Sequence, residues 1–280
     1  MAQVLNATTT ELTTKEIERS VIAKREKRMR RRRRTSWTAR IISLLVVIVA
    51  WQIYGHHTLE IVFVPFTTVV ADGFNLFTQG GLAGAVLYSV VTFVVGLILG
   101  SVLGIAVGLA MGWFETLEAS IGHYIYALYA TPMVAIVPLI TLWFGFGVGA
   151  QLLIIVLFVF FPIVVTVYNG VKQVESSLLE VGRSFGANQR QMWLHIVLPG
   201  SVPFIMTGLT QGVAMGLVGM FIAEIFTALS GVGKILETQA NAYHTGPTLA
   251  TVLVIMILGV FFRWLVAMLQ RKLSPWFQDH

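Results

Sequence analysis

The chain has no cysteine, so disulfides, thiolate metal sites and a cysteine nucleophile are excluded. Charge is scarce as well. Asp, Glu, Lys and Arg make up 11% of its 280 residues, where a soluble protein carries ~25%. A soluble globule of this size needs far more charge to cover its surface. Asp72 and Asp279 are the only aspartates, and neither falls in a long apolar run. There is no H-E-x-x-H, no G-x-S-x-G and no Walker A loop, so metalloprotease, serine-hydrolase and ATPase chemistry lack their residues. Basic residues are absent from the whole stretch 41–171.

Apolar residues are abundant instead, at 56%, and the mean hydropathy is +0.80. Together these describe an all-α integral membrane protein. Nineteen basic residues against thirteen acids leave a net charge of +6, but twelve of the basic residues lie at or before Arg40, including the run Arg30 to Arg34. A basic block in front of a first apolar helix holds that end in the cytoplasm and can bind anionic lipid headgroups. The same run could serve as a nucleic-acid arm, but it abuts a membrane span, and no nucleic-acid partner is expected. Residues 1–36 read as a cytoplasmic basic tail and 37–280 as a transmembrane domain. The basic region is longer than a signal-peptide n-region and no A-x-A site follows Ile53, so a retained anchor is expected.

A helix needs about 20 apolar residues to cross the hydrocarbon core. Six spans are expected: about 38–54, 82–113, 121–144, 150–168, 202–226 and 247–269. The second is too long for one straight crossing and reads as a tilted helix or a span with a surface extension. Residues 55–80 and 227–246 read as outer loops. This count puts both termini in the cytoplasm. It also leaves Lys234 as the one basic residue outside, in line with the positive-inside rule.

Gly96, Gly100, Gly104, Gly108 and Gly112 recur every four residues, and positions four apart share a helix face. They make a groove about 24 Å long. Gly208, Gly212 and Gly216 form a shorter ladder. Small residues let helix backbones approach closely in lipid, as static packing or as a sliding surface. Pro132 and Pro138 interrupt one span, as helices beside a watery cavity often are.

The most informative segment is cytoplasmic, about residues 172–199. Within it Ser177 and Glu180 fit a capping box that starts a helix. Gly186 can end that helix. Asn188, with Gln191 three residues on, can cap a second, and Pro199 is expected to break it before Ser201 caps the next span. Leu178, Leu179, Phe185, Met192 and Trp193 are unusually apolar for such a loop. Another protein, or a lipid surface, should cover them.

Glu180, Gly186, Ile196, Leu198 and Pro199 match the pattern EAA-x3-G-x9-I-x-L-P, with Val181 and Gly182 in place of the two alanines. The segment resembles the signature of permease subunits of binding-protein-dependent ABC importers. ATPMVAIVPLITLWFGFG (130–147) and AEIFTALSGVGKIL (223–236) are similar to the nitrate/sulfonate/taurine-type permeases. The resemblance covers about residues 80–270. It implies a type I ABC importer (MetI-like) permease fold in a bacterial plasma (inner) membrane. It also implies a second permease, in all expectation a homodimer copy, a cytoplasmic ABC ATPase dimer and an extracytoplasmic substrate-binding protein. The solute would be nitrate, bicarbonate, a sulfonate, taurine, or a related small organic acid or vitamin precursor. ATP and Mg would be bound by the partner ATPase, with no cofactor in this chain. Glu180, Arg183, Ser184, Phe185, Gly186, Ala187, Arg190, Met192 and Trp193 would couple to that ATPase.

GVGK (231–234) looks like a phosphate-binding loop but lacks the upstream glycine, and Ile235 replaces the required Ser or Thr. His56 and His57 are adjacent without a spaced partner, so no metal site is expected. Polar groups in or near spans are candidates for a translocation path: Thr131, Pro132, Thr141, Gln211 and Glu224. Threonine also bonds its own helix backbone, which is the default for Thr131 and Thr141. The competing classes are a stand-alone secondary transporter, which would need midplane ion-coupling groups and an inverted repeat, and a membrane scaffold.

Overall fold

The computed structural model describes residues 38–174, 176–227 and 229–273. The basic tail lies outside the described residues. Among the described residues every regular element is helical. The chain divides into two compact units, up to Thr67 and from Thr68 onward.

In the first unit, α1 (Thr38–His56) presents Ile41, Leu44, Val47 and Val49 outward, as a lipid-facing helix does. Its far end is pinned to the segment that follows. The Trp51 indole donates to the Val64 carbonyl at 3.1 Å, and its ring lies 5.4 Å from Phe63 and 5.7 Å from Phe66. Gln52 reaches the Thr67 amide and hydroxyl. Gly55 is buried where a Cβ would meet the Pro65 backbone at 2.5–2.6 Å. The aromatics therefore anchor this turn.

α2 (Phe66–Thr78), which begins two residues before the second unit, occupies part of the expected outer loop. Gly73 in its middle lies where a Cβ would come within 3.2 Å of Ala250 Cβ. The frame of the unit is three long helices, α3 (Leu82–Trp113), α6 (Val148–Lys172) and α9 (Leu198–Thr227). α3 is one continuous helix, so its extra length is helical throughout. Both glycine ladders face α6. A Cβ at Gly96 would meet Ile155, at Gly100 Val159, at Gly104 Ile163, at Gly108 Val167 and at Gly112 Val171. Both series advance by four, so α3 and α6 run parallel, each glycine receiving one β-branched residue. Gly208, Gly212, Gly216 and Gly219 of α9 meet α6 in the opposite order, from Ile163 back to Phe158. Val159 and Ile163 are gripped from both sides and have no exposed surface. Phe93, Ile154, Ile155, Val213 and Met220 complete this core.

A parallel α3 and α6 require the chain between them to travel back. The pair α4 (Glu115–Ala130) and α5 (Met133–Phe144) does this, bent by 101° at Thr131–Pro132. The expected interruption of the span 121–144 thus takes the form of two helices. Pro132 supplies the break, because it lacks an N–H and disfavours helix at the residue before it. Pro138 stays inside α5. Among the described residues five helices are long and apolar enough to cross a membrane, beside this one bent pair.

On the side where α3 and α6 end lie α7 (Ser176–Ser184) and α8 (Gln189–Met192). On the other, α10 (Val232–Asn241) follows α9 and leads to α11 (Thr245–Leu273).

Candidate functional site

The segment 176–199 folds as a helix, a corner and a second helix. α7 starts at Ser176, so Ser177, expected to cap it, lies inside the helix. It ends in two linked bonds: the Gly186 amide donates to the Arg183 carbonyl at 2.9 Å, and the Ala187 amide to the Gly182 carbonyl at 3.0 Å. This is the Schellman pattern, and it requires a left-handed residue at the corner. Gly186 provides it with φ +73°. Asn188 then caps α8. Its side chain accepts from the Gln191 amide at 2.9 Å, and the Gln191 side chain accepts from the Asn188 amide at 2.8 Å. Both halves of the corner are therefore fixed by local sequence.

The expected break at Pro199 does not occur. The backbone runs on from α8 through a π-helical turn, Trp193–Val197, into α9. The Leu198 amide bonds to Trp193, five residues back. This wider turn precedes the proline, whose missing donor and bulky ring would otherwise disturb an i→i−4 ladder. Ser201 does not cap a span either. It is buried, and its hydroxyl donates to the Val197 carbonyl at 2.7 Å.

Leu178 and Val181 on α7 and Phe185 just past its end follow a helical stripe, and all three are exposed, Phe185 by 87%. Leu194 adds to the exposed apolar surface. Glu180, Arg183, Ser184 and Arg190 are exposed around it, and Ala187 is half-buried. Met192 points inward. It packs with Ile196 beneath Gly182, where a Cβ would lie 2.6 Å from Met192 Sδ and 2.7 Å from Ile196 Cδ1. Gly182, one of the two departures from the expected pattern, is thus the contact point between α7 and the helix that leads into α9.

Three contacts join the elements at this end of the long helices. Trp193 stacks at 4.9 Å on Trp113, the last residue of α3. Gly200 lies where a Cβ would be 3.3 Å from Val174, just past α6. Glu118 of α4 accepts from the Tyr168 hydroxyl at 2.5 Å and pairs with Lys172 at 2.6 Å, both on the last turns of α6. Trp113, Glu118 and Tyr168 were not singled out in the sequence. An aromatic closing a long apolar helix, and an acid next to the gap in basic residues, were the available signals.

The path candidates do not gather. Thr131 and Pro132 are exposed at the α4–α5 bend, with the Thr131 hydroxyl on the Ala127 carbonyl. Thr141 is buried and donates to the Pro138 carbonyl. Gln211 is exposed on α9 and accepts from Thr166 at 2.7 Å. Glu224 is buried, with no exposed surface in this subunit. Among the described residues no three metal-ligating side chains come together.

The sequence matches the family described as binding-protein-dependent transport system inner membrane component over residues 100–275. The chain belongs to this family. It is similar to an aliphatic sulfonates transport permease protein of Bacillus subtilis (strain 168), 28% identical over 88% of this chain and 90% of that one. It is also similar to the taurine transport system permease protein of Escherichia coli (strain K12), 33% identical over 52% of this chain and 53% of that one. The riboflavin transport system permease protein of Chloroflexus aurantiacus is 26% identical over 57% of this chain and 60% of that protein. The fold is similar to that of the methionine ABC transporter solved in inward-facing conformations, with a TM-score of 0.60 at 16% identity, covering 70% of this chain and 97% of that one. This family member is therefore a multi-pass inner-membrane permease component of an ABC importer for a small solute, and not itself an enzyme. Family membership implies an ATPase, a binding protein and a second permease as its working partners.

Proposed function

We propose that the corner at Gly186 is the surface through which a cytoplasmic ATPase dimer drives this permease. The exposed Phe185, held at a doubly capped corner, carries the reading: an apolar side chain this open in a loop fixed this firmly is shaped for a protein partner. Leu178 and Val181 extend the contact, and Glu180, Arg183, Ser184 and Arg190 form its polar rim, with Ala187, Met192 and Trp193 supporting it from within. Closure of the ATPases pushes α7 and α8. Trp193 on Trp113 and the continuous α8–α9 backbone pass that push to α3 and α9.

The parallel run of α3 and α6 supports counting the bent pair as one crossing, which makes six and leaves both termini in the cytoplasm. The second permease is a copy of this chain. Thr131, Pro132 and Gln211, which are exposed on this subunit, face the path between the copies. Thr141 supports the α5 backbone beside it. The relatives named for sulfonate and taurine transport support a small oxyanion-bearing solute. Residues 41–171 carry no fixed positive charge, so hydroxyls and helix N-termini would meet such an anion.

Affinity capture from the native membrane in mild detergent, read by intact-complex mass spectrometry, tests this. Two copies of this chain with two Walker A subunits are expected. Capture of the chain alone, repeated after crosslinking, would overturn the reading in favour of a stand-alone transporter or scaffold.

A further inference from the structure

Glu224 is an acid with no exposed surface, at the last turn of a membrane helix. A buried carboxylate is costly unless each oxygen finds a donor. Here both do. The Ser89 hydroxyl of α3 donates to Oε1 at 2.5 Å, and the Gly233 amide of α10 donates to Oε2 at 2.7 Å. Ser89 in turn accepts from the Val232 amide at 2.9 Å. The two amides belong to the first turn of α10, whose N–H groups have no partner within their own helix. One carboxylate and one hydroxyl thus bind three helices, α3, α9 and α10. Val232 is buried beside them with Leu82 and Leu76, and Val86 and Ile235 pack on the same cluster.

The space is filled by protein. A Cβ on Gly231 would overlap the Glu224 carboxylate, and one on Gly233 would lie 2.9 Å from Glu224 Cβ. Gly231 also takes φ +113°, a conformation that suits glycine. Lys234, the nearest cation in sequence, pairs with Glu237 on its own helix at 3.0 Å and leaves Glu224 to the neutral donors. The G-V-G-K string is therefore the receptor for this carboxylate.

We propose that Glu224 and Ser89 are positioning residues that make α10 a rigid extension of α3 and α9, so that α10 travels with the core helices through the transport cycle and never swings as a separate flap. Force applied to α10 from outside the membrane then reaches α3 and α9 without lost motion. This transport consequence rests on the importer reading; the clamp itself does not.

Hydrogen–deuterium exchange of the peptide spanning 229–236 tests it, with the purified complex in nanodiscs, nucleotide-free and trapped with ATP and vanadate. In the unaltered protein the Val232 and Gly233 amides should be equally protected in both states. Two near-isosteric pairs isolate the polar groups: Ser89→Thr against Ser89→Val, and Glu224→Gln against Glu224→Met. Val and Met should speed exchange of these amides at least tenfold while α6 stays protected, and Thr and Gln should retain most of the protection. Unchanged protection with Val and Met would overturn the clamp. Loss of protection in the unaltered protein on vanadate trapping would overturn the rigid-extension role, and that comparison needs no variant. Absence of a co-purifying ATPase would count against the importer reading alone, since the variants can still be compared in the chain by itself.

Discussion

Replacing Gly100 by alanine should loosen the whole α3–α6 seam, and the size of the effect follows from what surrounds it. The new Cβ would lie 2.7 Å from Val159 Cβ and 3.0 Å from the Val156 carbonyl oxygen. Carbon atoms rest at about 3.5–4.0 Å, so the helices must part by roughly 1 Å. Val159 cannot retreat, because its opposite side faces Gly212 and Gly216 of α9. Overpacking of this kind costs ~1–3 kcal/mol, offset by up to ~1 kcal/mol of helix propensity gained over glycine. The comparison is Gly84→Ala on the same helix, where nothing lies within 4 Å of the added Cβ. Only the propensity gain remains there. Thermal unfolding in one detergent, followed by tryptophan fluorescence, should show a loss of a few degrees for Gly100→Ala and no loss, or a gain, for Gly84→Ala. Shifts of the same sign and size at both sites would refute the parallel register of α3 on α6.

Phe185→Ser should cut recovery of the ATPase with the permease severalfold while leaving the melting temperature of the isolated chain unchanged, since the ring is 87% exposed; measurement of both on one preparation checks it. At Gly186, valine must enter the left-handed region at a cost of roughly 1–2 kcal/mol, whereas asparagine visits it routinely. Gly186→Val should therefore weaken ATPase association and Gly186→Asn should preserve it, with co-purification stoichiometry as the readout; equal loss with both would show that the corner needs the absence of a side chain and not the backbone angle.

Much of the membrane frame is legible because it rests on local signals. Apolar run length places α3, α6, α9 and α11, and the four-residue glycine spacing marks the two faces that meet α6. The caps are legible for the same reason. Asn188–Gln191 and Gly186 act on backbone groups within a few residues of themselves. What stays hidden depends on partners far along the chain. α2 looks like a loop until Ala250 arrives beside Gly73. The α4–α5 bend angle belongs to two helices that each pack on other elements, and Pro132 announces only that a break exists.

Pro199 shows how a single residue misleads, and Glu224 how much of a residue's setting lies far along the chain. Pro199 promises a helix end, yet the preceding π-helical turn absorbs the proline and keeps α8 joined to α9. That continuity matters mechanically. A broken helix would let the coupling corner tilt freely, whereas a continuous backbone from Gln189 to Thr227 makes the corner one end of a lever whose other end holds Glu224. Glu224 reads as a group facing a path because ionisable residues in spans so often do. Its actual donors, Ser89 and Gly233, lie 135 and 9 residues away, and nothing in the sequence pairs them. Together the two residues bracket α9: one end continues into Trp193 and the corner, where the proposed push would enter, and the other is hydrogen-bonded to α3 and α10. Under the proposed coupling, a displacement at the cytoplasmic end would act on α9 along the surface where glycines at 208, 212, 216 and 219 let its backbone lie close to α6.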